Sequence, residues 1–408
     1  HGRSKHQETL LGCLSKVDKD VEKHKKKATT QLVLVSGVSG TGKTTLTMTL
    51  QKPVYRMGGI FAIGKYDLQH QSEPYIGLAL ACDKIYLQLK PSDSSCPRHD
   101  EKLEMFRNDL WDNIGDGIEV LSRIAPSIVE LVLLETRRDY SSESESEDFG
   151  YGKARYEAKA KLNFAVRQLF RALCKHFGPV VLALDDLQWA DVASLELLED
   201  LLSDRKNRHL MVVGQYRSEE FDESSNLAKT LASLQTKCAK GGLEITEIST
   251  GSVDVEDVNG MILDLLSVDS SPATMELAKI CHRRTQGNVF FVLVFLRMLY
   301  DKGFLVFNFG AMKWIWDASK IESGTNATTN VVALTHRKMA SLQGEHQTLL
   351  ALASCLGHVF EKSKLAIVAG GMNAAGTFSF DGTVVEQFLS LALDEGFLEG
   401  PSGEERSS

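Results

Sequence analysis

Short apolar runs alternate with helix-period stretches over the first 250 residues of the chain. The runs are Gln31–Ser36, Gly59–Tyr66, Val180–Asp185, Leu210–Tyr216 and Leu243–Ile248. The first, third and fourth are nearly continuous in Val, Leu, Met and Ala, as strands covered on both faces must be. Helix patterns such as Ala158–Lys175 and Ser194–Leu202 separate them. This alternation predicts an α/β fold, a parallel five-stranded sheet with helices on both faces. After residue 250 the strand pattern stops, and helices are expected at Val255–Leu266, Ala273–Arg284 and Val289–Lys302. Phe290, Phe291, Leu293, Val294 and Leu296 read as the core face of the last one. Trp314 and Trp316 alternate in KWIWD, the pattern of a short hairpin strand. Two or three further helices are expected within Ala333–Leu398, before a polar tail.

Composition narrows the class. Hydrophobic residues make up 43% and charged residues 25%, an ordinary globular mixture. The net charge of −8 disfavours a broad basic surface for nucleic acid. Lys23, Lys25, Lys26 and Lys27 form a local basic cluster that reads as solvated. Ser141–Asp148, SSESESED, cannot bury apolar surface and reads as a disordered loop tip. The seven cysteines are scattered, odd in number and without a Cys-x-x-Cys pair. That argues against a disulfide framework or zinc site and for a reducing, cytoplasmic setting. No histidine pair has metal-ligand spacing. The longest apolar stretch, Val289–Leu296, ends at Arg297. It falls far below the roughly 20 residues that span a bilayer, so no membrane partner is expected. The chain opens on His1 rather than Met, and is expected to be a fragment of a longer protein.

Candidate chemistry begins after the first strand. Gly37-Val38-Ser39-Gly40-Thr41-Gly42-Lys43-Thr44 fits G-x-x-x-x-G-K-[ST], with Thr45 directly after it. Glycines let successive backbone N–H groups turn inward around a phosphate. A helix starting near Lys43 directs its positive end to the same anion. Lys43 is expected to reach the β- and γ-phosphates, and the Thr44 hydroxyl to bind Mg²⁺.

Such a loop needs a carboxylate at the end of another strand, and VVLALDD supplies Asp185 and Asp186. An acid ending a buried strand needs a cation partner. Asp185 is expected to hold Mg²⁺ through its waters, and Asp186 to orient an attacking water, to cap the next turn, or both. Many hydrolases place Glu here, and Asp is one methylene shorter. Where positioning carries the catalysis, that favours ATP binding over fast hydrolysis. A third run, HLMVVGQYRSEE, ends in Arg217, placed to sense a γ-phosphate. The expected catalytic set is therefore Lys43, Asp186 and Arg217.

These motifs resemble the AAA-type ATPases related to the origin-recognition-complex fold, within the STAND class of signal-transduction ATPases with numerous domains. GVSGTGKTTL is similar to the family's Walker A loop, LALDDLQWADVASLELL to its Walker B segment, and VVGQYRSEE to its sensor strand. HGRSKHQETLLGCL resembles the opening Gly-Arg segment near the adenine, with His6 where many members carry an acid. FAIGKYDLQHQSEPYIGLALA resembles the second-strand segment. TQGNVFFVLVFLRMLYDKGFL resembles the helical module after the core, with Val289 where members usually have Pro, leaving Gly287 and Asn288 as candidates for nucleotide contact. WIWDASKI and the segment from Val331 to Gly370 resemble the start of a winged helix. The resemblance implies a P-loop NTPase core at 1–250, a helical lid at 251–328 and a winged-helix-like domain at 329–408. In such sheets the Arg217 strand lies between the loop strand and the Asp185 strand, and the helical and winged-helix modules close over the nucleotide.

The residues and the resemblance together imply a slow switch binding ATP or ADP with Mg²⁺, acting on other protein domains or signalling partners. A DNA-associated initiator using the winged helix, a small-molecule or nucleotide kinase, and a degenerate scaffold that binds ADP permanently are the alternatives. Oligomeric state is open. Trp189 reads as a core or lid-contact aromatic. His282, Arg283 and Arg284 read as a solvated helix end, or as groups reaching a phosphate from the lid.

Overall fold

The structure is a computed structural model that describes residues 2–18, 29–69, 71, 73–90, 97–133, 151–238, 242–325, 339, 342–356, 360–374, 380, 382–394, 397–398 and 400. The lysine cluster at 23–27, Cys96, the acidic run at 141–148, the expected boundary at 328/329 and the polar tail lie outside them. The chain divides into two compact units, His1–Ala318 and Ser319–Ser408.

All five apolar runs form strands: β1 (Thr30–Gly37), β2 (Ile60–Lys65), β3 (Val180–Asp185), β4 (Leu210–Arg217) and β5 (Leu243–Ser249). They make one parallel sheet in the order β2-β3-β4-β1-β5, so β4 does lie between β1 and β3. Successive side chains of a strand point to opposite faces, so an unbroken apolar run makes both faces apolar. Leu32, Leu34, Ala62, Leu182, Leu184 and Val212 face one core, which includes Ile85, Phe106, Phe170 and Leu198 from flanking helices. Val33, Val35, Phe61, Val181, Ala183 and Val213 face the other, with Leu10, Leu14, Leu46 and Val54. Truncating one such leucine to alanine costs about 2–5 kcal/mol.

Strand register does the positioning. Gly37 stands opposite Arg217, and Lys65 opposite Asp185. The carboxyl ends of four neighbouring strands thus bring the loop, the arginine, the acids and Lys65 into one row, where ligands of open α/β sheets bind.

Helices Val255–Leu266, Pro272–Thr285 and Val289–Asp301 follow β5. Pro272 opens the second at N1 behind a Ser271–Thr274 capping box. The third buries Val292, Phe295, Leu296, Met298 and Leu299. Phe290 and Leu293, expected on its core face, are instead exposed. The helix is apolar nearly all round, so its period alone does not select a face. The strands β6 (Leu305–Asn308) and β7 (Lys313–Trp316) pair antiparallel, as KWIWD suggested. Phe307 meets Trp314 edge-on at 5.3 Å between ring centroids.

In the second unit, helices Gly344–Cys355, Lys362–Ala374 and Gly382–Asp394 share a core of Leu349, Leu365, Phe380, Val385 and Phe388. Among the described residues, no helix is long and apolar enough to cross a membrane.

Candidate functional site

The loop between β1 and the helix Lys43–Met48 is folded as a cradle that admits no side chain at key points. Gly40 has φ +81°, and a Cβ there would sit 2.7 Å from Asn288 Oδ1 and 2.9 Å from Phe290 Cβ. A Cβ on Gly37 would overlap Thr250. Thr41 Oγ1 donates to the Val38 carbonyl at 2.8 Å and lies 2.9 Å from Thr250 Oγ1, bracing the loop from beneath. Val38 and Ser39 are exposed. The helix that follows is short: Pro53 has no N–H for the Thr49 carbonyl, and a second helix starts at Gln51. Thr45 is exposed in the first helical turn.

Lys43 is buried and folded back on the loop, its Nζ donating to the carbonyls of Gly37 at 2.7 Å and Val38 at 3.1 Å. Burial pulls its pKa down, against the opposing charges of Glu219, Asp185 and Asp186. A desolvated ammonium with carbonyl partners is a strong demand for an anion.

Thr44 Oγ1 donates to Asp185 Oδ2 at 2.9 Å. A hydroxyl and a carboxylate at one point form the hard-oxygen pair that suits Mg²⁺, with waters and phosphates completing its shell. The residues therefore fit the expected ion. Burial, and then Asp186, push the Asp185 carboxyl above the usual aspartate range, against Thr44, Lys65 and the Asp186 N–H.

Asp186 is buried and left-handed, at φ 56° and ψ 45°, a conformation strained for a residue with a side chain. Its side chain makes no cap to the turn Leu187–Trp189. Instead Oδ1 accepts from Gln188 Nε2 at 3.0 Å and Arg217 Nε at 3.1 Å, and Oδ2 lies 3.9 Å from Lys65 Nζ. Arg217 Nη1 donates to Glu220 Oε1 at 2.8 Å. Its guanidinium lies 4.5 Å from the Trp189 ring centroid, a cation–π contact. Trp189 packs at the edge of the core and serves as the platform for the arginine, a role its sequence context did not suggest.

Four further residues close on the loop. Ser39 N–H donates to Glu219 Oε1 at 2.8 Å. Burial would raise the Glu219 carboxyl, but N–H bonds from Ser39 and Glu219 itself, with Lys43 and Arg217, hold it below the usual glutamate range. Asn288 Nδ2 donates to the Ser39 carbonyl at 2.8 Å, while its Oδ1 caps the helix Val289–Asp301 by accepting from Phe291 N–H at 3.3 Å. Phe290 N–H donates to the Gly40 carbonyl at 3.0 Å. From the amino end, Arg3 Nη2 donates to the carbonyls of Thr41, at 3.1 Å, and Gly251.

The structure thus gathers Gly37–Thr45, Asp185, Asp186 and Arg217 at one sheet edge. Asn288 joins them through Ser39, and the neighbouring Gly287 carbonyl accepts from Val253 N–H at 2.9 Å. His282 stands beside Gly287, within 3.1 Å of where a Cβ would project. Sequence reasoning missed Glu219 and Glu220. Their only signal is an acidic pair one residue beyond the strand-ending Arg217.

The AAA ATPase domain matches residues 2–213. A hybrid signal transduction histidine kinase G of Dictyostelium discoideum is 24% identical over 442 residues, covering 90% of this chain. The chain spans 11% of that relative's length. Among solved structures, a Walker-type ATPase of Pyrococcus abyssi is similar at TM-score 0.42 and 11% identity, covering 96% of this chain and 88% of that one. The ORC2 protein of Aeropyrum pernix is similar at TM-score 0.41 and 12% identity, covering 98% and 88%.

Proposed function

The chain belongs to the AAA ATPase domain family, and on that premise we propose that it is a nucleotide-operated switch that binds Mg·ATP, hydrolyses it slowly and passes its nucleotide state to other parts of a larger signalling protein. The observation that carries this reading is the clasp between loop and lid. Asn288 and Phe290, at the start of a lid helix, bond directly to Ser39 and Gly40 of the phosphate loop. A change in what the loop holds then reaches the downstream helices through two hydrogen bonds.

The backbone from Gly37 to Thr45 takes the phosphates. Lys43 exchanges the Gly37 and Val38 carbonyls for phosphate oxygens, and Thr44 and Asp185 hold Mg²⁺. When bound, the ion neutralises phosphate charge. Arg217 exchanges Asp186 and Glu220 for the γ-phosphate. That exchange releases the Asp186 carboxylate, which is then free to orient water. The acid is engaged by Arg217 and Gln188 until the arginine leaves, which supports slow turnover. ADP, lacking the γ-phosphate, leaves Arg217 on Asp186, so the two nucleotides favour different arrangements.

The likeness to a short part of a signal transduction histidine kinase supports a role as one part of a longer signalling chain. Within the present chain, we assign 1–250 to the ATPase core, 251–328 to the lid and 329–408 to a module of winged-helix type.

Hydrogen exchange across Asn288–Leu296, measured with Mg·ATP, with Mg·ADP and without nucleotide, tests the switch. Protection is expected to differ between the two nucleotides. Identical protection with both demonstrably bound would reduce the protein to a static scaffold.

A further inference from the structure

We propose that Glu219 is a built-in stand-in for the terminal phosphate of ATP, so that the resting site accepts ADP readily and ATP only after the carboxylate is evicted. The inference rests on the nucleotide reading above and assigns that site its selectivity.

Strand order creates the contact. β4 lies beside β1, with Arg217 opposite Gly37. The chain leaving β4 therefore turns through Ser218–Glu220 alongside the phosphate loop. There Glu219 Oε1 accepts from Ser39 N–H at 2.8 Å, within the range of charge-assisted hydrogen bonds. The charges of Lys43 and Arg217 both act on the same carboxylate. A loop N–H, the loop lysine and the sensing arginine are the set a transferring phosphate uses. Here the Ser39 N–H already serves a carboxylate of the chain itself, while Lys43 donates to the Gly37 and Val38 carbonyls and Arg217 to Asp186 and Glu220.

The rest of the turn repeats the theme. Arg217 donates to Glu220 through Nη1 and to Asp186 through Nε. The loop donor is thus occupied by Glu219, and the phosphate reader by the adjacent Glu220 and, across the site, by Asp186. One N–H cannot serve two anions at full strength, and like charges at this distance repel. ADP ends one phosphate earlier and leaves Ser39 to Glu219. ATP brings its γ-phosphate to the same donors and must displace Glu219. Displacement moves the turn at the end of β4, the turn that follows Arg217, so entry of ATP and release of the arginine are one event.

Calorimetric titration of the full chain with Mg·ATP and with Mg·ADP tests this, using wild type, Glu219→Gln, Glu219→Ala and Glu223→Gln. Glutamine keeps the size and can still accept from Ser39 N–H, but carries no charge. Glu223→Gln makes the same charge change nearby, on an exposed side chain. Both Glu219 variants are expected to tighten ATP by about tenfold or more, the scale of one charge-assisted hydrogen bond, and to shift ADP by less than about threefold. Glu223→Gln is expected to move neither. An unchanged ratio of ATP to ADP affinity in Glu219→Gln, with wild type binding both, would overturn the inference and leave the nucleotide reading standing. Loss of both nucleotides in a normally melting Glu219→Gln would also overturn it, because the carboxylate would then belong to the cradle. A wild type that binds neither nucleotide removes the nucleotide reading itself and this inference with it.

Discussion

Arg217 and Asp186 hold each other across the mouth of the site, Nε donating to Oδ1 at 3.1 Å. One residue ends β4 and the other follows β3, so neighbouring strands deliver them to the same point. Each is the other's partner until a stronger anion arrives. Arg217→Ala is therefore expected to weaken Mg·ATP by about 10–100-fold, the loss of a hydrogen-bonded charge contact, and Mg·ADP by less than about threefold. Paired titrations read this directly. Equal losses for both nucleotides would place Arg217 on some phosphate other than the terminal one.

Asp186 carries the water-orienting role in this scheme. Asp186→Asn keeps the shape and the hydrogen bond from Arg217, but is a far weaker base. Phosphate release is expected to fall by about 10²- to 10⁴-fold while ATP affinity stays within about threefold. A single-turnover assay separates the two quantities. Wild-type rates in the asparagine variant would assign the chemistry elsewhere.

Much of this arrangement is legible in the sequence. Strands β1, β3 and β4 are covered on both faces, and two-sided burial writes itself as an unbroken apolar run. The loop was legible because its pattern fixes glycine where no Cβ fits, as at Gly37. Register then placed Gly37 beside Arg217 without help from side chains. What stayed hidden were contacts between residues distant in sequence. Nothing around Asn288 announces that its amide reaches Ser39, and Glu219 reads as one more acid after a strand. The exposure of Phe290 and Leu293 is not legible because an all-round apolar helix has no periodic signal.

Asp185 sets a trade between function and stability. Its carboxyl is held above the usual aspartate range in the folded protein, chiefly through burial and then through Asp186. Between the unfolded and folded values the native state binds the proton more tightly, so stability falls as pH rises through that window and stays lower above it. Asp185→Asn removes this burden. The nucleotide-free variant is expected to melt higher than wild type at pH 7, with the difference shrinking as pH falls toward the ordinary aspartate range. Its response to Mg²⁺ in the presence of ATP is expected to vanish. Thermal melts across pH check both signs, and a lower melting point at pH 7 would refute the assignment of strain to this carboxylate.

Asn288 joins loop and lid with one side chain, so two substitutions are needed to separate its duties. Asn288→Asp keeps the acceptor that caps the helix Val289–Asp301 and loses the donor to Ser39. Asn288→Ala loses both. The alanine variant is expected to lose about 1 kcal/mol of stability through the cap, and the aspartate variant less. Both are expected to abolish the difference in lid exchange between ATP and ADP. If Asn288→Asp retains that difference in full, the clasp is structural and the signal leaves the loop by another route.

The central claim is that the loop from Gly37 to Thr45 holds the phosphates of ATP, with Lys43 as its charge. Titration of Mg·ATP into wild type and Lys43→Ala, with melting curves to confirm that both are folded, tests it most directly. The predicted result is measurable binding to wild type and a loss of about 100-fold in the variant. Equal affinity in the two proteins would contradict it.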